Sequence, residues 1–439
     1  MIQQRVLIKG ATILTMDSAI GNLSHGDVLI EGARIKAVEP LIDIEDAQVI
    51  DATGMILLPG FVDAHRHAWQ GSLRRLLPDV SDLMSYVERI HFGLALHYRP
   101  EDIYTGNLLT AWSAIDHGIT TIIDASHNTR SYAHANAAID ALEAAGIRAL
   151  YAPAFPLGGE WERSFWTKGL ELLQAERFGS DGLVRLGIFS HMSTDHWDVA
   201  RSLRIPIVTE FLGRELADSL RYLAAAGKLG PDNIFNHCTG LTEEAWRIIS
   251  DKGVKVTVDP RSDAQYGLEE GVFAYQHAVD HGIRPGLGTD LETAYGGDMF
   301  TEMRVAFSLQ RAFAQQRRFQ GDTAAPAPVT SEALLRAATV HGAEIAGFGP
   351  VSGSITPGKS ADLILINTDA VNLFPSNNAL GTVVHAADRS NVDTVIIAGK
   401  ILKSKGELIG ADLNKLKQEA AQSVAYLLEK EKHPTGDPV

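Results

Sequence analysis

Eight strand-like runs, separated by segments with helical hydrophobic periodicity, limit the folds that this chain can adopt. The runs are residues 56–63, 120–124, 148–155, 183–190, 205–210, 233–237, 253–258 and 283–290. Alternation of strands with helices indicates parallel strands joined by helical crossovers, and a closed (β/α)₈ barrel requires eight such units. An α/β barrel is therefore the predicted fold class. An open, doubly wound sheet is the structural alternative, because the pattern alone does not report closure.

The segments on either side of this region have a different texture, typical of a small antiparallel unit. Strand-like runs with turn residues between them precede it, and two β-rich stretches follow it, "GSITPGKSADLILIN" and "VDTVIIAGKILKSKGELI". We expect these strands to meet in one composite β-sandwich domain made of residues 1–56 and 346–439. Residues 57–345 would then form the barrel, and residues 413–432 a polar amphipathic helix at the C-terminus.

Composition excludes several classes of protein. The 439-residue chain carries a formal net charge of −15, which argues against nucleic acid or an anionic membrane as its main partner. Cys238 is the only cysteine, so the chain has neither an internal disulfide nor a cysteine-based zinc cluster. We find no secretory signal and no apolar run of about 18 residues that would span a membrane. A cytoplasmic protein acting on a small molecule is the expectation.

Two histidines stand where the first barrel strand is predicted to end. Residues two apart on a strand point the same way, so His65 and His67 would converge on one point while Arg66 points away. Functional sites of barrels lie at these strand ends, and two neutral imidazoles are suitable ligands for a transition metal. The H-x-H pattern is weak by itself, and a pair of surface histidines is the alternative.

Two later strands also end on residues that suit a metal site. "NIFNHCTGL" places His237 at the end of the sixth strand, and "GLGTD" places Asp290 at the end of the eighth. The aspartate can ligate a metal and take a proton from water, while the histidine can ligate or stabilise a developing oxyanion. Either residue alone has a structural explanation, as a core histidine or a helix cap. Their joint position at strand ends favours one shared site.

The chain resembles the amidohydrolase superfamily, in its cytosine-deaminase-like and chlorotriazine-hydrolase-like branch. The resemblance covers essentially the whole chain and is carried by "LPGFVDAHRH", "GITTIID", "NHCTGLTEE", "LGTD" and "GSITPGKSADLILIN". It implies a barrel with a composite β-sandwich, a homo-oligomer, and one divalent transition metal, with zinc favoured over iron. The implied ligands match four positions, His65, His67, His237 and Asp290. No lysine ends the fourth strand, so a binuclear site with a carbamylated lysine is not expected.

The fifth strand departs from the family pattern, which places a metal-binding histidine there, often within H-x-x-E. The corresponding stretch is "IPIVTEFLGRE", with Glu210 at the position of the histidine. In the favoured interpretation Glu210 replaces the histidine as an oxygen ligand. Three others stay open: the remaining four ligands hold the metal alone, His191 or His196 reaches the site, or metal is weak or absent and Glu210 acts as an acid or base.

Four further residues are predicted to contact the substrate. The resemblance places Gln70 on the substrate side of the H-x-H segment. Trp69 lies in the segment after the first strand and is expected in an aromatic lid over a flat ring, with packing against the barrel as the alternative. Arg261 and Asp263 follow the seventh strand, where members of the family often contact substrate, although structural pairing explains both equally well.

These residues predict a metal-dependent hydrolase acting on a C–N bond of a nitrogen heterocycle, with deamination preferred. Asp290 would take a proton from the attacking water and return it to the leaving group, and His237 would stabilise the developing charge. The alternatives are ring-opening hydrolysis of a cyclic amide, a lyase or isomerase reaction that depends on Glu210, and a catalytically silent binding protein.

Overall fold

The structure is a computed structural model that describes residues 5–166, 168–179, 182–211 and 213–432. In the first half of the chain the strands are β1 (Arg5–Ile13), β2 (Leu23–Glu31), β3 (Arg34–Glu39), β4 (Gln48–Asp51), β5 (Met55–Pro59), β6 (Phe61–Arg66), β7 (Ile119–Ser126), β8 (Arg148–Pro153), β9 (Val184–Leu186) and β10 (Ile188–Phe189). In the second half they are β11 (Ile207–Phe211), β12 (Asn233–His237), β13 (Lys255–Val258), β14 (Gly286–Leu287), β15 (Leu363–Asn367), β16 (Val392–Ile397), β17 (Lys400–Ser404) and β18 (Glu407–Leu408).

Helices connect most of the strands in the middle of the chain. Those preceding residue 282 are α1 (Leu83–Ile90), α2 (Pro100–Asp116), α3 (Tyr132–Ala145), α4 (Lys168–Arg177), α5 (Thr194–Leu203), α6 (Gly213–Ala225), α7 (Glu243–Asp251), α8 (Pro260–Tyr266) and α9 (Tyr275–Asp280). Those that follow are α10 (Met299–Phe319), α11 (Ser331–Arg336), α12 (Gly342–Ile345), α13 (Ala379–Gly381) and α14 (Leu413–Lys432). Among the described residues, no helix is both long and apolar enough to cross a membrane.

The strands of the middle region lie in two parallel sheets, with orders β6-β7-β8-β9 and β10-β11-β12-β13-β14. This confirms the α/β class and the parallel strands with helical crossovers. One continuous eight-stranded sheet is not present in the part of the chain that the structure describes. Gly187 separates β9 from β10, so the predicted run 183–190 is two short strands in different sheets. The other edge strands of the two sheets are β6 and β14. Asp290, which follows β14, bonds the end of β6: its N–H donates to the His65 carbonyl, and the His67 N–H donates to the Asp290 carbonyl, each at 2.8 Å.

A third, nine-stranded sheet brings together strands from both ends of the chain. Its order is β18-β17-β16-β15-β5-β1-β2-β3, with β4 paired to β1. The contact between the two ends is antiparallel, with Leu363 opposite Pro59. The predicted division into domains at residues 56–57 and 345–346 stays a prediction.

The predicted first barrel strand, residues 56–63, is wrong in its bounds because the chain changes sheets at Gly60. Before this residue, β5 belongs to the nine-stranded sheet, and after it β6 belongs to a parallel sheet. A Cβ at Gly60 would lie 2.1 Å from a methyl carbon of Thr120, so only glycine fits this crossing. The last run, 283–290, is likewise shorter: β14 covers only Gly286–Leu287, and Asp290, with φ of 60°, pairs with Arg66 in an isolated bridge beyond the strand.

Helix α2 packs closely on the 3₁₀ helix Ala68–Leu73, which follows the two histidines. A Cβ at Gly106 would lie 2.3 Å from the Trp69 carbonyl oxygen, and one at Gly71 would lie 2.3 Å from the Gly106 carbonyl oxygen. Two glycines therefore set the distance between this helix and the segment that carries His67.

We expect Gly106→Val to reduce the free energy of unfolding by about 3 kcal/mol, because the new side chain would push α2 away from a backbone that has no free space. Thermal denaturation measures the effect. Gly271→Val is the matched control, since a Cβ there has no neighbour within 4 Å. Equal melting temperatures for the two variants would contradict this close packing.

Candidate metal centre

Five side chains from the ends of four strands meet at one point: His65, His67, Glu210, His237 and Asp290. The His67 Nε2 lies 3.1 Å from both Glu210 Oε1 and Asp290 Oδ1. The His65 Nε2 lies 3.3 Å from Asp290 Oδ1 and 3.7 Å from Glu210 Oε1. We call these five residues the candidate metal centre.

The donor atoms of this centre suit a metal ion. Both ring nitrogens of His65 and Oδ1 of Asp290 are buried and make no hydrogen bond among the described residues, although buried polar atoms normally have a partner. Two groups, His65–His67–Asp290 and His65–Glu210–His237, each bring three possible ligand atoms within 4.8 Å of one another. Imidazole nitrogens with carboxylate oxygens are a ligand set that zinc and other transition metals accept.

Hydrogen bonds outside the centre orient two of its imidazoles. The His67 Nδ1 donates to the Ala125 carbonyl oxygen at 2.7 Å, and the His237 Nδ1 lies 2.7 Å from Asp263 Oδ1. Each bond fixes the tautomer in which Nε2 keeps a lone pair free for a ligand. His237 also has a left-handed backbone, with φ of 64°, an uncommon conformation that concentrates at functional sites.

The acids and imidazoles of the centre shift one another's pKa values strongly. Burial disfavours the charged form of His67, but hydrogen bonds to Asp290 and Glu210 raise its pKa to about 10. Burial likewise opposes ionisation of Glu210, yet the His67 hydrogen bond lowers its pKa to about 2. For His237, Asp263 outweighs burial and raises the pKa to about 9. The carboxylates are therefore held ionised, as metal ligands must be, while His67 and His237 would release a proton when a metal binds.

Asp263 was predicted to contact substrate, and the structure places it behind His237, fully buried. We expect Asp263→Asn to lower metal affinity or kcat/KM by about 10- to 100-fold, because an amide no longer fixes the His237 tautomer. Metal titration and steady-state kinetics measure this. Glu243→Gln is the control, since Glu243 pairs with His281 on the surface. An Asp263→Asn variant that matched the control would show that His237 needs no orienting carboxylate.

The other predicted substrate contacts do not line the cavity beside the centre. Trp69 is fully buried, and its indole N–H donates to His127 Nδ1 at 3.0 Å. The Gln70 amide donates to the Tyr86 hydroxyl, and Arg261 is ion-paired with Glu302. The placement of these three residues therefore does not support substrate contact. For Arg261 the structure contains the alternative, a structural ion pair with Glu302.

A cavity of about 230 Å³ opens onto the centre. Its lining outside the centre is made of imidazoles, two tyrosines, a serine and aliphatic side chains: His91, His127, His191, Tyr86, Tyr266, Ser262, Leu83, Val87, Leu157, Leu216, Leu268 and Leu291. His196, the other candidate for a fifth-strand substitute, contacts Phe155 and Trp166 instead.

Sequence reasoning did not select Ser262, whose hydroxyl donates to Asp290 Oδ2. Its position beside Asp263, directly after the seventh strand, was the available signal. Tyr266 was also missed, because it reaches the cavity from the end of α8, outside any strand.

Carboxylates and oriented imidazoles at the ends of parallel strands of an α/β fold are an arrangement that metal-dependent hydrolases use. The chain matches the amidohydrolase family over residues 56–185 and 184–402, and it belongs to that family. Family membership confirms the resemblance found in the sequence and the predicted hydrolase class.

Two similar proteins are named as nucleoside deaminases. The 5'-deoxyadenosine deaminase of Methanobrevibacter smithii is 30% identical over 456 residues, covering 98% of this chain and 100% of that protein. The 5-methylthioadenosine/S-adenosylhomocysteine deaminase of Pelotomaculum thermopropionicum is 29% identical, covering 97% of this chain and 99% of that protein.

Solved structures of the same fold include two that hold zinc. An adenosine deaminase from Xanthomonas campestris superposes with a TM-score of 0.83 at 23% identity, covering 97% of this chain and 98% of its own. An atrazine chlorohydrolase from Arthrobacter aurescens superposes with a TM-score of 0.85 at 22% identity, covering 96% of this chain and 100% of its own.

Proposed function

We propose that this chain deaminates a 6-aminopurine nucleoside, replacing the ring amino group with oxygen and releasing ammonia. The observation that carries the proposal is the convergence of three imidazoles and two carboxylates on one point at the end of the cavity. The substrate class follows from the relatives, which are named as deaminases of adenosine derivatives.

The proposal includes the finer architecture. The two parallel sheets would be halves of one (β/α)₈ barrel, with the nine-stranded sheet as the core of a composite β domain. Gly187 supports this, because it is the only residue between the edge strands β9 and β10 of the two sheets. The backbone hydrogen bonds between Asp290 and the end of β6 support it at the other side.

His65, His67, His237, Asp290 and Glu210 would hold one divalent metal ion, with zinc preferred to iron. Such an ion supplies Lewis acidity and an activated water at neutral pH. Glu210 qualifies as the replacement for a fifth-strand histidine because Oε1 lies 3.1 Å from His67 Nε2, within the cluster of other donors. His191 lines the cavity but belongs to none of the groups of possible ligand atoms found among the described residues.

In this mechanism Asp290 moves the protons. Ser262 donates to Oδ2 of Asp290, which leaves Oδ1 to accept a proton from the attacking water and to deliver it to the departing amine. The new bond joins the water oxygen to the ring carbon, the C–N bond breaks, and ammonia leaves. Asp263 holds His237 in the tautomer whose Nε2 keeps its lone pair, so His237 would act here as a ligand and not as a hydrogen-bond donor to the reacting atoms.

Ammonia release tests the function. Purified protein with zinc should liberate one ammonia per molecule of adenosine, 5'-deoxyadenosine or 5'-methylthioadenosine, with the matching change in purine absorbance. An unrelated protein, purified and buffer-exchanged by the same procedure, gives the background of ammonia release. A product formed without ammonia would support ring opening or a lyase reaction instead, and no reaction with any purine would contradict the substrate class. A homo-oligomer and a cytoplasmic location stay predictions.

A further inference from the structure

His127 lines the cavity without belonging to the proposed ligand set. It follows β7, and its ring stacks on the His67 ring with centroids 3.9 Å apart and planes inclined by 18°. One of its ring nitrogens can come within 4.8 Å of donor atoms of His67 and Glu210, so its position alone would also suit a metal ligand. The hydrogen bond at the Nδ1 atom of the ring decides whether His127 can be a metal ligand.

Trp69 fixes the tautomer of His127. An indole nitrogen is a donor only, and Trp69 Nε1 lies 3.0 Å from His127 Nδ1. The Nδ1 atom must therefore be the acceptor, without a proton, and the neutral ring carries its proton on Nε2. A nitrogen that carries a proton has no lone pair for a metal. His127 is consequently a hydrogen-bond donor beside the centre and not the missing histidine ligand.

The donor on His127 has no acceptor among the residues that the structure describes. Its Nε2 makes no hydrogen bond to them, although His127 as a whole is buried, with a relative exposure of 3%. Of the polar lining residues near it, His67 and Glu210 belong to the centre, and the His91 ring, with its centroid 4.4 Å away, makes no hydrogen bond to His127 among the described residues. A buried donor that faces a cavity is suited to an acceptor on the bound molecule.

We infer that Trp69 holds His127 in the tautomer whose Nε2–H donates a hydrogen bond to an unprotonated ring nitrogen of the substrate. This rests on the proposed deamination of a purine. When water adds to the ring carbon, a neighbouring ring nitrogen gains negative charge, so the bond from His127 strengthens in the transition state. His127 is thus a specificity-determining residue, and Trp69 is the positioning residue behind it.

The test pairs enzyme variants with substrates that lack one ring nitrogen. Wild-type protein, His127→Leu and His127→Gln are assayed on adenosine and on its 1-deaza, 3-deaza and 7-deaza analogues. We expect His127→Leu to lower kcat/KM for adenosine about tenfold. On the one analogue that lacks the accepting nitrogen, His127→Leu and the wild-type protein should have the same kcat/KM. His127→Gln, which keeps a donor, should recover most of the loss. His117→Leu is the control, because His117 lies at the end of α2 and bonds the Ser113 carbonyl oxygen.

Two outcomes would overturn the inference. An equal loss on all four substrates would mean that His127 acts only through packing, and a loss of bound metal in His127→Leu would make it a ligand. If the wild-type protein deaminates no purine, the proposed function fails, and the ¹⁵N NMR spectrum of the His127 ring decides the inference separately. The inference is supported if the proton lies on Nε2 in the wild-type protein and exchanges between the two ring nitrogens in Trp69→Phe. A proton on Nδ1 in the wild-type protein overturns it.

Discussion

Replacing Asp290 with asparagine is expected to lower turnover by about 10³- to 10⁴-fold while the protein stays folded. The amide has no negative charge to hold a proton, and it would place a donor or a weak acceptor against the His65 and His67 nitrogens, which lie 3.3 and 3.1 Å from Oδ1. Steady-state ammonia release measures the effect.

Asparagine is the better test than alanine because residue 290 has φ of 60°. Asparagine tolerates this left-handed conformation, whereas alanine would add backbone strain. The backbone hydrogen bonds of residue 290 to His65 and His67 do not depend on the side chain, so the melting temperature should stay near that of the wild type. Asp280→Asn, at the exposed end of α9, is the control. Alanine at position 290 should also abolish turnover, and full activity in either variant would refute the mechanism.

Replacing Glu210 with glutamine is expected to have the second largest effect, on the metal itself. An uncharged amide is a poor metal ligand. Loss of a residue that only hydrogen-bonds a ligand already lowers metal affinity by about 10- to 100-fold, so loss of a ligand should lower the affinity for zinc by more than about 100-fold. Glu210→His should instead keep stoichiometric metal and part of the turnover, because an imidazole restores a ligand of the type that zinc favours. Elemental analysis of the purified variants and kcat/KM report both effects.

Glu215→Gln is the control for this comparison, since Glu215 lies exposed in the first turn of α6, five residues further along. Its metal content should match that of the wild type. A Glu210→Gln variant with full metal content would favour the interpretation in which four ligands suffice. Full metal with lost turnover would assign Glu210 to acid–base chemistry.

Local patterns were enough to predict the elements that carry the centre. Strand β12 has the predicted bounds, and α14 covers residues 413–432 as expected. Because side chains alternate along a strand, the convergence of His65 and His67 followed from their spacing, and the strand ends supplied the three partners.

Substrate contact by Trp69 and Gln70 stays a prediction, and their placement does not favour it. Both belong to the 3₁₀ helix that follows His67, and their side chains bond other parts of the protein. Their partners, His127 and Tyr86, come from later segments, and a hydrogen bond between residues 58 positions apart has no local pattern. The same holds for the pairing of His237 with Asp263 and for the interruption of the fourth strand at Gly187.

A crystal structure of the zinc-loaded protein, with anomalous diffraction recorded on both sides of the zinc edge, tests the central claim most directly. We expect one anomalous peak among the five centre residues, with a Glu210 oxygen and the His65 and His67 nitrogens at about 2.0–2.2 Å from it. A peak elsewhere, no peak at stoichiometric zinc, or a peak coordinated by His127 with Glu210 turned away would contradict it.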